Sequence, residues 1–278
     1  MNDLMKPGVR PEAGTDRATL ILAPNADPMT LDGTNTWLLA EPGARRAVVV
    51  DPGPLHEDHL QLILATAEER ELRIGLILLT HGHFDHSEGA PRLAELTGAP
   101  VRALDPRFRL GDEGLVGGDV VDMDGLHLFV VATPGHSADS LCFVLPDDRA
   151  LLTGDTILGR GTTVVAHPDG RLGDYLDSLR HLRDLAAAHE VETVLPGHGP
   201  VPADALGVVE FYLEHRRQRL EQVRAALAAG DETAADVVAR VYADVDPAVK
   251  FAAEMSVRAQ LEYLGAGGQD GDGQASRA

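Results

Sequence analysis

Residues 76–90 read LILLTHGHFDHSEGA, an apolar run followed directly by three histidines and an aspartate. The candidate ligands in it are His81, His83, Asp85 and His86. On a regular strand His81 and His83 share one face, and the turn that follows can bring the other two back toward the same point. Three imidazoles and a carboxylate packed this closely suit divalent metals such as zinc. The stretch therefore predicts a metal site at the end of an apolar strand.

Three later apolar runs each end in a turn of small residues that presents one further candidate ligand. They are VVATPGHS with His136, ALLTGDT with Asp155 and TVLPGHGP with His198. Glycine and proline beside each candidate make physical sense, because a tight turn lets the backbone approach an ion while it fixes the direction of the side chain. Together with the first cluster these segments supply five histidines and two aspartates, enough for two metal ions.

The pattern around these motifs indicates two sheets. Short β-branched runs alternate with helical stretches from residue 18 to the run IGLILLT, whereas residues 125–154 read as consecutive strands with a Pro-Asp-Asp turn at 146–148. Such a mixture predicts an α+β fold with helices packed outside the sheets. One more helix is expected from about Tyr175 to His189, followed by the strand VETVLP.

After Pro202 the strand patterns stop and three helical segments follow. They cover Ala205 to Ala229, about Thr233 to Ala243 and about Pro247 to Leu264. We therefore expect a flexible N-terminus at 1–17, a catalytic domain at 18–204, a small C-terminal module at 205–264 and a disordered tail at 265–278.

Composition limits the function classes. The chain has 278 residues, a formal net charge of −20 and 44% hydrophobic residues, which is typical of a globular protein and disfavours non-specific binding to nucleic acid or an anionic membrane. Residues 1–20 lack the apolar stretch of a secretory signal, and no run approaches a membrane span. The single cysteine, Cys142, lies in an apolar strand and predicts a buried side chain, with no disulfide framework. We expect a cytoplasmic protein without a membrane partner.

The ordered set of HxHxDH, His136, Asp155 and His198, with Asp51 ending the strand AVVVD upstream, resembles the metallo-β-lactamase superfamily of hydrolases. The resemblance covers about residues 18–202 and implies an αβ/βα sandwich with its metals at one sheet edge. It also implies the ligand sets: His81, His83 and His136 for the first metal, Asp85, His86 and His198 for the second, Asp155 as the bridge, and Asp51 as the hydrogen-bonding support of the ligand loop.

The same resemblance implies the chemistry. Two divalent ions roughly 3.5 to 4 Å apart would activate a bridging water as hydroxide, which attacks a carbonyl carbon or a phosphorus, with Asp85 orienting it. Zinc is the expected metal, although iron and manganese also suit such ligands.

The segments TILGRGTT (156–163), DYLDSLRHL (174–182) and FYLEHRRQRLEQV (211–223) resemble the β-lactamase-like protein 2 family, whose small C-terminal module is winged-helix-like. This extends the resemblance to about residue 264. The compact group around that family also holds hydroxyacylglutathione hydrolases, lactonases and acyl-carrier thioesterases.

Five residues are candidate substrate contacts, each with a structural alternative. Thr162 and Thr163 follow a glycine-rich loop that should border the metal cleft, where simple loop capping would also explain them. His167 could protonate a leaving group or be a surface histidine. Arg216 and Arg219 could hold a substrate phosphate or carboxylate, or belong to a solvated helix face on which Arg217 pairs with Glu214 and Glu221.

Two enzymatic functions and one binding function compete. The first is hydrolysis of a small ester, thioester or lactone. The second is cleavage of single-stranded RNA, as the resembling family implies, although 4% aromatic residues and a net charge of −20 disfavour it. The third is a DNA-binding protein with a structural metal, which seven candidate ligands disfavour because structural zinc is closed by four. The sequence carries no signal for oligomeric state.

Overall fold

The protein is described here by a computed structural model, in which residues 8–10, 13–243 and 249–265 are placed. The first sheet has six strands in chain order. These are β1 (Val9–Arg10), β2 (Ala18–Leu22), β3 (Asn35–Leu39), β4 (Arg46–Val50), β5 (Arg73–Leu78) and β6 (Val101–Arg102). Strands β1 to β4 pair antiparallel, and β4, β5 and β6 pair parallel.

The second sheet has five strands in the order β11-β10-β9-β8-β7. These are β7 (Val120–Met123), β8 (Leu126–Ala132), β9 (Leu141–Leu145), β10 (Ala150–Gly154) and β11 (Thr193–Pro196). Strands β8 to β10 form the antiparallel meander that the sequence predicts, and Pro146–Asp148 is a short 3-10 turn inside it. Strand β11 pairs parallel to β10, so β8, β10 and β11 all end at the same edge.

Seven α-helices lie in the described part of the chain. They are α1 (Glu57–Glu69), α2 (Phe84–Ser87), α3 (Ala90–Thr97), α4 (Leu172–Ala188), α5 (Ala205–Ala228), α6 (Ala234–Val241) and α7 (Lys250–Gly265). The predicted helix from Tyr175 begins three residues earlier, at Leu172. The predicted start of the last helix, Pro247, lies outside the described residues.

The core lies between the two sheets, and each sheet also buries its outer face. In β5, Leu76 and Leu78 point into the space between the sheets. Ile77 of β5 and Leu79, which follows it, pack on the outer side, as the two-residue period of a strand requires. Helices α1 and α3 cover the outer face of the first sheet, and α4, α5 and α7 cover that of the second. The result is the predicted helix–sheet–sheet–helix sandwich.

Helix α5 belongs to two apolar clusters. Its first half packs with α4 through Val209 and Tyr212, and its second half forms a small cluster with α6 and α7 around Val223, Val237 and Val257. Residues 205–243 and 249–265 contain three helices and no strand, so the winged-helix comparison stays a prediction. The predicted domain division after residue 204 falls just before α5. This helix packs both with α4, which precedes the division, and with α6 and α7, which follow it.

The chain ends differ partly from expectation. Val9–Arg10 lies inside the segment expected to be flexible, yet it pairs with Leu20 and Ile21 of β2. The expectations for residues 1–7 and for the tail at 266–278 fall outside the described residues. Among the described helices, none combines the length and apolar character that crossing a bilayer requires.

Candidate metal centre

The predicted ligands meet because the strands that carry them end at one edge of the sandwich. Parallel strands β4 and β5 run out into Asp51 and into the turn after Thr80, while β8, β10 and β11 run out into the turns of the other sheet. Two backbone hydrogen bonds join the sheets here. Asn35 N donates to the Gly197 carbonyl at 2.7 Å, and Leu141 N donates to the Thr80 carbonyl at 2.8 Å.

The first group of side chains is His81, His83 and His136, whose ligand atoms lie within 4.8 Å of one another. Nδ1 of His83 is 3.1 Å from Nε2 of His81 and 3.1 Å from Nε2 of His136. Two nitrogens bound to one tetrahedral zinc ion are about 3.3 Å apart, given bonds of about 2.05 Å. The spacing of these three imidazoles therefore fits a shared cation.

The second group is Asp85, His86 and His198. Nε2 of His198 is 3.0 Å from Asp85 Oδ2 and 3.2 Å from Nε2 of His86, which is itself 3.3 Å from Asp85 Oδ2. His86 and His198 are buried, whereas the Asp85 side chain is 28% exposed.

Asp155 lies between the two groups. Its Oδ2 is 3.7 Å from Nε2 of His136, and its Oδ1 is 3.3 Å from Nε2 of His86 and 3.4 Å from Nε2 of His198. Oδ1 is buried and makes no hydrogen bond within the described part of the chain. A buried carboxylate oxygen without a hydrogen bond is costly, so its position between two sets of imidazoles fits a ligand of a cation.

Four of the histidines are held through the ring nitrogen that points away from the site. Asp51 Oδ2 accepts from His86 Nδ1 at 2.8 Å, and the carbonyls of Val164 and Gly33 accept from His136 at 2.8 Å and His198 at 3.1 Å. Carbonyls and carboxylates only accept, so each of these Nδ1 atoms carries a proton and each Nε2 is directed into the site.

His81, the fourth of these histidines, is held by a relay of two hydrogen bonds. The Thr80 hydroxyl donates to Asp51 Oδ2 at 2.6 Å, and this leaves it able to accept from His81 Nδ1, 3.0 Å away. Asp51 Oδ1 also accepts from the Thr80 amide at 2.8 Å. One buried carboxylate thus orients a ligand from each group.

Without a cation, the imidazoles and carboxylates of the site differ in their protonation states. Burial lowers the pKa of His81 and of His136, which leaves both rings neutral. Burial would raise the pKa of Asp155, but His198 and His86 beside it hold that pKa well below the usual range. Burial lowers the pKa of His198, yet Asp155 outweighs this and raises it to about 9. Burial also lowers the pKa of His86, but Asp85, Asp155 and Asp51 outweigh it and hold that pKa well above the ordinary value. Protons therefore occupy the centre at neutral pH, where cations would replace them.

The candidate substrate residues divide into two sets. Thr162, Thr163, Arg216 and Arg219 line one cavity of about 340 Å³ that is also lined by His136 and Asp155. His167 is not among the residues that line this cavity. Its Nδ1 lies 2.9 Å from Glu262 Oε2 of α7, and its side chain is 39% exposed.

Several residues that support the site were missed by the sequence reasoning. The Gly33 and Val164 carbonyls hold ligand histidines, and Asn35 donates from Nδ2 to the carbonyls of Pro196 at 3.0 Å and Gly199 at 2.9 Å. A backbone carbonyl leaves no signature in the side-chain sequence. The Thr-Asn-Thr run at the start of an otherwise apolar strand was the available signal, because such polar groups are buried only with partners.

Comparison with known proteins agrees with this geometry. Residues 29–198 match the metallo-beta-lactamase superfamily. A beta-lactamase-like protein 2 homolog from Caenorhabditis elegans is 36% identical over 258 residues, which cover 90% of this chain and 84% of that protein. An atrochrysone carboxyl ACP thioesterase from Aspergillus fumigatus is 36% identical over 218 residues, or 76% of this chain. The match spans 65% of that thioesterase, slightly less than two thirds of its length.

Among solved structures, a metallo-beta-lactamase family protein from Thermus thermophilus has the same fold. It superposes with a TM-score of 0.74 at 23% identity, and the match covers 95% of each chain. With the family match over residues 29–198 and the relative at 36% identity, the chain belongs to the metallo-beta-lactamase superfamily of hydrolases.

Proposed function

We propose that this chain is a binuclear metal-dependent hydrolase of small esters, thioesters or lactones, with acyl thioesters as the leading class. The observation that carries the proposal is the position of Asp155, whose two carboxylate oxygens face different groups of histidines. A single structural zinc needs four ligands and no bridge, whereas six side chains around a shared carboxylate suit two ions.

In this proposal one ion would be held by His81, His83 and His136 and the other by Asp85, His86 and His198, and Asp155 would serve both. Zinc is the expected metal, because it favours imidazole and carboxylate ligands, and iron or manganese would also suit them. Bound there, the ions would lower the pKa of a water molecule and polarise the carbonyl under attack.

Asp85 is the proposed catalytic residue. Its Oδ2 accepts a hydrogen bond from the Thr34 hydroxyl at 3.5 Å and lies 3.0 Å from His198, so the carboxylate has a fixed orientation. Its side chain is more exposed than that of Asp155, at 28% against 13%. Asp85 can therefore accept a hydrogen bond from an entering water and orient it toward the carbonyl under attack.

The shape of the cleft and the relatives favour a small acyl substrate. The cavity beside the centre has largely apolar walls, which include Met29, Leu31 and Leu158. One relative at 36% identity is named a thioesterase. Cleavage of single-stranded RNA is the competing hypothesis that an experiment must separate.

The test is metal analysis together with hydrolysis of a panel of thioesters, esters, lactones and single-stranded RNA. We expect two metal ions per chain and thioester hydrolysis that a chelator abolishes. His81→Ala should lose hydrolysis and one metal ion. His127→Ala is the matched control, because His127 is exposed on β8 and lies 3.1 Å from Asp122, away from the centre.

Two results would contradict the proposal. One inert metal ion per chain, with no chelator effect, would remove the binuclear mechanism. RNA cleavage that His81→Ala abolishes, without turnover of the small substrates, would transfer the function to a ribonuclease.

A further inference from the structure

One cavity joins the candidate metal centre to the C-terminal helices. It is lined by His136 and Asp155 of the centre, by Arg216 and Arg219 of α5, and by Tyr242, which follows α6. A substrate whose carbonyl lies at the centre can therefore extend toward α5. The charged groups that such a substrate would meet near α5 are Arg216 and Arg219.

Arg216 is buried, with 4% of its surface exposed. Its Nη2 donates to the Thr163 carbonyl, and its guanidinium lies over the ring of Tyr175, 5.0 Å from the centroid. Its Nε is buried and has no hydrogen-bonding partner within the described residues. One edge of the fork is therefore used by the protein, and another donor remains unsatisfied.

Arg219 follows one turn later on the same side of the helix. Its guanidinium lies 4.5 Å from the ring centroid of Tyr242, and Nη1 donates to Gln222 Oε1 at 2.9 Å and to the Val241 carbonyl at 3.4 Å. All of these partners are neutral. Within residues 8–10, 13–243 and 249–265, no carboxylate forms an ion pair with either arginine.

The neighbouring arginines of the same region behave differently. Arg217 pairs with Glu214 and with Glu221, and Arg160 at the rim of the cavity pairs with Asp32. Carboxylates are abundant in a chain of net charge −20. A buried guanidinium without a carboxylate is therefore not explained by a shortage of acidic residues, and its unpaired burial costs free energy that an anionic ligand would recover.

We propose that the cavity binds a substrate that carries a carboxylate or phosphate group, which Arg216 and Arg219 hold while an apolar chain connects it to the scissile carbonyl. This inference rests on the proposed hydrolase function and names its substrate class. Arginine suits the role because its planar fork pairs with carboxylate and phosphate through two hydrogen bonds. Met29, Leu31 and Leu158 provide the apolar wall for the connecting chain.

The first experiment measures binding without turnover. Adipate and inorganic phosphate are titrated calorimetrically into the full-length, metal-free chain. We expect at least one of them to bind, and Arg219→Gln to weaken its binding about 10- to 100-fold. Arg217→Gln should leave binding unchanged, because Arg217 already pairs with two glutamates. Binding should also persist in His198→Ala, as expected for an anion that the arginines hold rather than this imidazole.

The second experiment distinguishes the source of the anion by turnover of matched thioesters. Adipoyl and hexanoyl N-acetylcysteamine differ in a carboxylate on the acyl group. Hexanoyl 4′-phosphopantetheine and hexanoyl pantetheine differ in a phosphate on the 4′-hydroxyl of the leaving group. We expect at least a roughly tenfold higher kcat/KM for the anionic member of one pair. Arg219→Gln should remove this preference by raising KM for the anionic member, whereas Arg217→Gln should retain the preference. Arg216→Lys should reduce the preference while keeping the positive charge.

The outcomes separate the two proposals. Equal rates for both members of both pairs, or a preference that survives in Arg219→Gln, would overturn the anion site and leave the hydrolase standing. Anion binding that depends on Arg219 in a chain that hydrolyses no thioester would support the site and overturn the hydrolase. Failure of both probes to bind would overturn the site, provided that thermal unfolding shows a folded chain.

Discussion

Asp51 connects two ligand histidines although it faces no candidate cation itself. It follows β4 with a positive φ of 52°, a conformation that aspartate tolerates better than most residues, and this turns its carboxylate under the ligand loop. One oxygen accepts from His86 and from the Thr80 hydroxyl that supports His81, and the other accepts from the Thr80 amide. All of these donors need an acceptor, so a carboxylate suits the position.

We predict that Asp51→Asn weakens metal binding by about 10- to 100-fold. An amide keeps only one acceptor oxygen. Its NH2 group would therefore face either the Thr80 amide or both the Nδ1–H of His86 and the Thr80 hydroxyl, and either arrangement disturbs the ligand loop. Competition with a chromophoric chelator measures the affinity. Asp122→Asn is the control, because Asp122 contacts His127 on the surface. Equal metal affinity in both variants would contradict the role of Asp51.

The buried side chain of His59, which is not a candidate metal ligand, should make the free energy of unfolding depend on pH. Its Nε2 contacts Thr36 Oγ1 at 2.9 Å, while its Nδ1 is buried without a partner in the described residues. Burial, helped by His56, lowers its pKa to about 4 from an ordinary value of 6.5. The unfolded chain therefore takes up this proton before the folded chain does, so stability is complete above pH 6.5 and is lost as the pH falls toward 4.

This loss amounts to about 3 kcal/mol. His59→Phe removes the titrating group, so the stability difference between wild type and variant should shrink by that amount between about pH 7.5 and pH 4. Urea unfolding of both chains measures this difference. A chelator is present throughout, so that metal release does not contribute. A difference that stays constant with pH would contradict the pKa of His59.

At the scale of elements, the turn between β8 and β9 is held by close contact with α4. Gly135 has a φ of 137°, and a Cβ there would overlap the backbone of Tyr175 near the start of the helix. Only glycine combines this conformation with so close an approach. The contact sets the direction of the next residue, His136.

We predict that Gly135→Ala destabilises the chain by more than about 3 kcal/mol. It should also weaken metal binding by the group of His81, His83 and His136, because it displaces His136. Gly173→Ala is the matched control on the same helix, since its Cβ would meet only the ring of Tyr263, at an ordinary 3.5 Å. That control should change stability by less than about 1 kcal/mol, and in the favourable direction. Urea unfolding gives both values, and an equal effect of the two substitutions would contradict the argument.

Strand ends could be predicted from the sequence more accurately than the start of a helix. Strand ends that carry the motifs could be predicted, because apolar runs stopping at Gly, Pro and His mark both a strand and its turn. The start of α4 was predicted three residues too late. Its first turn holds Gly173 and Asp174, a pair that does not mark one residue as the first of a helix.

The two faces of α5 illustrate a missed signal. Tyr212, Arg216, Leu220 and Val223 are buried at helical spacing, so Arg216 interrupts an apolar stripe. Its neighbour Arg217 lies on the solvated face between two glutamates, as the sequence alternative supposed. The sequence alternative placed Arg216 on the same solvated face as Arg217, whereas the helical period separates the two residues.

At the scale of the whole molecule, the candidate centre spans the two sheets. Four candidate ligands follow β5 of the first sheet, and the other three follow β8, β10 and β11 of the second. Ions held by both sets would link sheets whose other contacts are mainly apolar packing. Because the unfolded chain offers no assembled site, metal binding would add directly to the free energy of unfolding.

We predict that removing metal with a chelator lowers the thermal unfolding temperature of the whole chain. At a free metal concentration about 100 times the Kd, one site contributes about 2.7 kcal/mol, which corresponds to roughly 5 °C or more for a chain of this size. His198→Ala should retain only part of the increment, because it removes a ligand of one ion, whereas His127→Ala should retain all of it. Calorimetry with and without zinc measures the shift. An unfolding temperature that is equal in zinc and in chelator would mean that no ion bridges the sheets, since any ion bound only to the folded state must stabilise it.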